Sequence, residues 1–127
     1  MHTFEISTGN FYNPTGAFVS KAYAGGNCGK NPEGRNNAAM CSVKNIGPLP
    51  EGLYTMGVPV EHSHLGPFAI PLTPDPTNEM HGRGDFYVHG DTTPSGNASE
   101  GCIILPRAVR EALHASPDTR IRVVRAL

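Results

Sequence analysis

Apolar and polar positions alternate along this chain in short runs separated by turn residues, the pattern of many brief strands rather than a few long helices. Thr3–Ser7 alternates and predicts an opening strand, and Phe18–Tyr23 predicts a second. Residues Gly25–Ala39 are rich in Gly, Asn and Pro and read as a long loop, with a short strand at Met40–Val43. A turn at Pro48–Gly52 leads into a strand at Leu53–Val58. Phe68–Leu72 is a weaker run limited by Pro67 and Pro71, which predicts an edge strand because proline cannot donate to a ladder. After a loop over Pro74–Gly84, Phe86–His89 and Cys102–Leu105 form two more apolar runs. Pro106–Ala115 is the single helical pattern: Pro106 suits a first helical position, and Ala108, Val109, Ala112 and Leu113 share one face. Arg120–Arg125 alternates and closes the chain as a strand. The pattern predicts one mainly β domain over residues 1–127, a β-sandwich or partly open barrel with one short helix near 106–115.

Composition changes this picture little. The chain has 127 residues, long enough for one domain to bury roughly 65–70% of its unfolded surface. Its 15 glycines and 12 prolines are spread along the whole length, which fits short strands and loops rather than a disordered tail. A net charge of −1 offers no electrostatic case for nucleic acid or a membrane surface. No apolar run approaches the ~18 residues of a membrane span. The opening MHTFEISTG has neither a basic nor an apolar leader region, so no secretory signal is visible.

The candidate chemistry is concentrated in Phe86–Pro106, FYVHGDTTPSGNASEGCIILP. His89 opens a His-Gly-Asp triplet and Cys102 follows Ser99-Glu100-Gly101. A thiol beside an imidazole is the minimum for thiolate catalysis, and a neighbouring imidazolium lowers a thiol pKa from ~8.5 toward ~3.5–7.5. Alternation puts His89 on the strand face of Tyr87, and Cys102 on that of Ile104. Gly101 removes a Cβ beside the thiol, which predicts close approach of a substrate backbone. It also leaves the Gly101 and Cys102 N–H groups as candidate oxyanion donors. Gly90 and Ser99 belong to the same site loop, Ser99 as either a turn residue or a substrate donor. Asp91 is a candidate orienter of His89, a role a backbone carbonyl fills equally well. The competing reading of Cys102 is a core thiol that only fills space.

Other residues are candidates for binding. Arg83 and Arg107 flank the site in sequence, and arginine suits bidentate recognition of a carboxylate; Tyr87 is a candidate cleft-lining residue. His62-Ser63-His64, with His81, suggests zinc, but no Cys-x-x-Cys or His-Glu-x-x-His run accompanies it, so the histidines read as loop residues with His62 or His64 near the cleft. Neither metal nor cofactor is expected. Three cysteines is an odd number; in an oxidising compartment Cys28 and Cys41 would pair and leave Cys102 free.

His-Gly followed by Ser-x-Gly-Cys resembles the signature of YkuD-like L,D-transpeptidases. The closer resemblance is to the type VI secretion L,D-transpeptidase effectors. It is carried by Ser7-Thr8-Gly9, Tyr23-Ala24-Gly25, the turn Gly47-Pro48-Leu49-Pro50-Glu51-Gly52-Leu53-Tyr54 and the block Phe86–Leu105. One departure is Ile104, where YkuD-like enzymes usually carry Arg or Asn. The resemblance implies the YkuD-like β-fold and a Cys102/His89 enzyme acting on peptidoglycan tetrapeptide stems, with carboxypeptidase, D-amino acid exchange or cross-linking as outcome. It further implies secretion through a dedicated apparatus, action in the periplasm of a target bacterium and a cognate immunity protein in the producer. Two rivals stand beside it. One is another wall-directed cysteine amidase of the NlpC/P60 kind, in which the cysteine precedes the histidine, opposite to the order here. The other is a non-catalytic wall-binding module.

Overall fold

A computed structural model describes residues 1–92 and 95–127. Among the described residues, nine strands and one α-helix follow in order: β1 (His2–Glu5), β2 (Asn10–Tyr12), β3 (Phe18–Lys21), β4 (Gly52–Met56), β5 (Val60–His62), β6 (Gly66–Pro74), β7 (Tyr87–His89), β8 (Ile103–Ile104), α1 (Arg107–Ala115) and β9 (Arg120–Val124). The sheet runs β3-β2-β1-β9-β4-β6-β7-β8, with β5 paired to β6. Pairing is antiparallel except for β1 with β9 and β7 with β8. Two residues past β3, Tyr23 forms an isolated bridge with Ile104 of β8, so the two ends of the sheet are brought back to each other. The mainly β expectation, with one helix and a partly open barrel, is met.

The core lies inside this curl. Phe4, Ile6, Phe11, Tyr54, Ile103 and Ile121 are fully buried, each contributing about 1.5–3 kcal/mol by removal from water. The inward residues of β9, Ile121 and Val123, alternate with exposed Arg120 and Arg122, as the sequence pattern requires. Among the described residues, no helix is long and apolar enough to cross a membrane.

Four local expectations are corrected. Met40–Val43 is not a strand: Ala38–Met40 forms a 3-10 turn capped by the Asn37 side chain, and turns follow it. The segment around His62 is not loop, since Val60–His62 pairs with β6. Most consequential, β6 is not an edge but has strands on both sides. Leu72 N–H points to β7, donating to Phe86 O, so Pro71 faces the other way, where Gly57 N–H donates to Pro71 O. There the partner changes from β4, which ends at Met56, to β5, which begins at Val60. The missing proline N–H falls in that gap, so no ladder bond is lost. In α1, Pro106 is the cap rather than the first helical residue.

Candidate active site

The parallel pairing of β7 with β8 sets the site. Parallel neighbours cannot be joined by a tight turn; they need a connection of about a dozen residues or more, and here residues 90–102 make it. The register Val88↔Ile103 and His89↔Ile104 sends Val88 and Ile103 into the core, both with no exposed surface. Tyr87, His89 and Cys102 take the opposite face. His89 and Cys102 therefore share one surface, with His89 opposite Ile104 and Cys102 two residues before it. Both line a cleft of about 1360 Å³ bounded by the β5–β6 hairpin, the 82–92 segment and Arg110 of α1. Tyr87, His62 and His64 line it as well.

The thiol is held by its backbone surroundings. Tyr87 N–H donates to Cys102 Sγ at 3.3 Å, and Asp85 O lies 4.0 Å from the sulfur. Only 9% of Cys102 is exposed, and burial pushes its pKa up to about 11 despite the Tyr87 N–H and Arg83, which favour the thiolate. The expected imidazolium-lowered thiol is thus corrected: no hydrogen bond joins sulfur and imidazole among the described residues, and desolvation prevails. His89 is likewise held neutral. Burial lowers its pKa, Arg110 and His62 lower it further, and only its hydrogen bond to Gly90 O and the more distant Asp91 act against this.

The two ring tautomers follow from what each ring touches. His89 Nδ1 lies 3.0 Å from Gly90 O, and a carbonyl only accepts, so Nδ1 carries the proton and Nε2 is the free base. His62 is the reverse. Its Nδ1 accepts from His64 N–H and Leu65 N–H, both at 3.1 Å, which leaves the proton on Nε2. Its ring meets Tyr87 edge-on at 5.2 Å between centroids. The cleft therefore holds one imidazole as a base and another as a donor.

Several sequence-level assignments change. The orienter of His89 is the Gly90 carbonyl, not Asp91. Asp91 instead accepts from Tyr23 OH at 2.5 Å and from the Thr92 and Gly96 N–H groups, holding the loop. Ser99 is no substrate donor: it accepts from Gly25 N–H and Gly101 N–H and donates to Cys102 O, so its hydroxyl is fully used. Because Gly101 N–H is spent on Ser99, Cys102 N–H is the remaining oxyanion candidate of the two. Gly101 itself does not open space for substrate. Its φ is +140°, and an added Cβ would lie 2.7 Å from Arg83 Nη2 and 2.8 Å from the Phe86 ring, on the protein side.

Neither flanking arginine is free to bind substrate. Arg83 is buried, and its guanidinium donates to the carbonyls of Cys41, Pro48, Gly47 and Glu100 at 2.6–3.3 Å. Arg107 lies outside the cleft, paired with Glu111 and stacked over Phe68. Lys44 and Arg110 also line the cleft, and Arg110, on α1, is a cation the sequence pattern did not single out. Its signal was present: it falls three residues before Leu113, on the buried face of α1. Cys28 and Cys41 are not joined but are free thiols with different neighbours, Cys28 beside Glu100 and Cys41 beside His81. Each loop is tied down by its own hydrogen bonds, from Cys28 N–H to Ser99 O and from Arg83 to Cys41 O.

Residues 21–124 match the family model described as Tlde1 domain. No curated protein and no solved structure matches this chain.

Proposed function

We propose a reaction for this cleft from one premise: the chain belongs to the Tlde1 domain family, the type VI secretion L,D-transpeptidase effectors. Membership carries L,D-transpeptidase-type activity, peptidoglycan as substrate and secretion for action in target cells. The observation that supports a particular chemistry is that Cys102 and an Nδ1-protonated His89 lie on one face of the β7–β8 pair and line the same cleft.

The substrate is a tetrapeptide stem. Cys102 Sγ attacks the carbonyl at the L-centre of diaminopimelate while His89 Nε2 accepts the thiol proton. Cys102 N–H stabilises the tetrahedral oxyanion. Collapse expels D-alanine, whose amine takes the proton back from His89, and a thioester remains. Water resolves it in L,D-carboxypeptidase action, a free D-amino acid gives exchange, and the amine of a second stem gives a cross-link. Burial holds the thiol pKa up, so His89 Nε2 serves as the base that takes the proton as the sulfur attacks. The chain acts as one catalytic domain over 1–127. Removal of tetrapeptide donors in the target periplasm weakens the wall, and the producer is protected by an immunity protein that covers the cleft.

Purified tetrapeptide and pentapeptide muropeptides offered side by side test this reading. The protein releases D-alanine from tetrapeptides, spares pentapeptides and loses all turnover as Cys102→Ala. Release from pentapeptides at an equal rate would indicate a D,D-specific enzyme. Unimpaired trimming by Cys102→Ala would return the thiol to a space-filling role in a wall-binding module.

A further inference from the structure

We propose that Arg110 is the carboxylate-binding residue of the cleft, taking the C-terminal carboxylate of the peptide donor on its Nη2 edge. This rests on the stem-peptide reading above and adds to it the group that measures where the peptide ends.

The guanidinium is fixed before any ligand arrives. Arg110 Nε donates to Leu105 O at 3.1 Å, and Nη1 donates to Pro67 O at 3.0 Å and Phe68 O at 2.8 Å. Only 5% of the residue is exposed, and among the described residues it is in no ion pair, because Glu111 one position on is taken by Arg107. Neither N–H of Nη2 has a protein acceptor among the described residues. That edge lies against the backbone next to His89, since a Cβ on Gly90 would come within 2.8 Å of Nη2. A desolvated cation without a counter-ion is unfavourable, and a planar carboxylate at a guanidinium edge is the ligand that best relieves it. The other arginine of the cleft, Arg83, has no edge to offer. The arginine's side-chain freedom is already lost to three carbonyls, so binding an anion orders nothing further.

The same contact acts on the base. Arg110 opposes a positive charge on His89. A carboxylate seated on Arg110 cancels part of that opposition, so an acid-terminated peptide makes the imidazolium that forms on attack easier to hold. A peptide ending in a neutral group does not.

The test compares the tetrapeptide stem ending in D-alanine with the same stem ending in D-alanine carboxamide. Binding to the Cys102→Ala protein is measured by titration calorimetry. The acid binds about 10- to 100-fold more tightly than the amide. In the Cys102→Ala/Arg110→Gln double variant the acid falls to the level of the amide, and Arg110→Lys restores part of the difference. Because Arg110 also supports three carbonyls, the acid-versus-amide comparison in protein that retains Arg110 carries the test should the double variant misfold. Equal binding of acid and amide, binding of neither, or a preference for acid that survives Arg110→Gln overturns the assignment. If the Arg110-dependent preference appears but the wild-type protein releases no D-alanine, the assignment stands and the proposed reaction falls.

Discussion

Arg83 shows how a single residue is diverted from function to support. Its charge satisfies four carbonyls that converge from the 41–48 loop and from Glu100, and the space it occupies is the space a side chain at Gly101 would need. Gly101→Ala meets both that crowding and a backbone angle L-residues rarely adopt. It should therefore lower the urea midpoint and reduce turnover together. Unchanged midpoint and rate would show that the loop relaxes freely. A second residue-scale prediction concerns the thiol. With its pKa at about 11, Cys102 should alkylate slowly at neutral pH, and its rate should still be climbing at pH 9–10. Mass mapping of iodoacetamide adducts against pH reads this directly. A plateau near pH 7 would mean that a thiolate–imidazolium pair forms after all. Cys28→Ala and Cys41→Ala should leave turnover intact, since neither touches His89 or the reacting sulfur.

At the scale of elements, the connection between β7 and β8 is long because parallel pairing requires it, and a long loop must be fastened to hold a nucleophile. Two clips do so. Ser99 ties Gly25, Gly101 and Cys102 together, and Tyr23 OH joins Asp91 to Ala98 N–H, with Arg35 stacked 4.1 Å over the Tyr23 ring. Ser99→Ala removes the acceptor of two buried N–H groups and the donor to one carbonyl. A loss of about 2–3 kcal/mol in chemical denaturation is expected, with a fall in turnover although Ser99 touches no substrate. Full stability in that variant would mean that water replaces the hydroxyl. The Tyr23 clip has a further role, because the residue that fastens the loop is also the residue whose backbone bridges to β8.

For the whole molecule, acid is the condition that tests how the site is buried. Burial lowers the pKa of His89 and of His2, whose Nδ1 has no hydrogen-bond partner among the described residues. The unfolded chain binds these protons near pH 6.5 and the folded chain only below that. Stability is thus complete above ~6.5 and is lost as pH falls from there through the folded values. A second loss follows below ~3.9. There Asp91, whose hydrogen bonds from Tyr23, Gly96 and Thr92 outweigh a burial that raises its pKa, and Asp118, bonded to the chain's amino terminus, become protonated. Melting temperatures from pH 8 to 5 should decline, and His2→Gln combined with His89→Gln should flatten the decline. A flat profile in the wild-type protein would show that both rings titrate as if exposed.

What this chain's sequence decided by itself is what alternation and local spacing encode. The opening, closing and site strands, the single helix, and the placing of His89 and Cys102 near each other were legible because strand faces and turns depend on neighbouring residues. The two-sided pairing of β6 was not, because proline reads as an edge signal until the partner strands on its two sides are known. The fates of the three arginines depended on still more distant partners. Arg83, beside the site in sequence, is drawn to carbonyls from the 41–48 loop and Glu100; Arg107 turns outward to Glu111; and Arg110, eight residues past the thiol, enters the cleft. Where a long charged side chain ends is set by which backbone acceptors other elements leave unpaired, and only the tertiary structure brings those acceptors within reach.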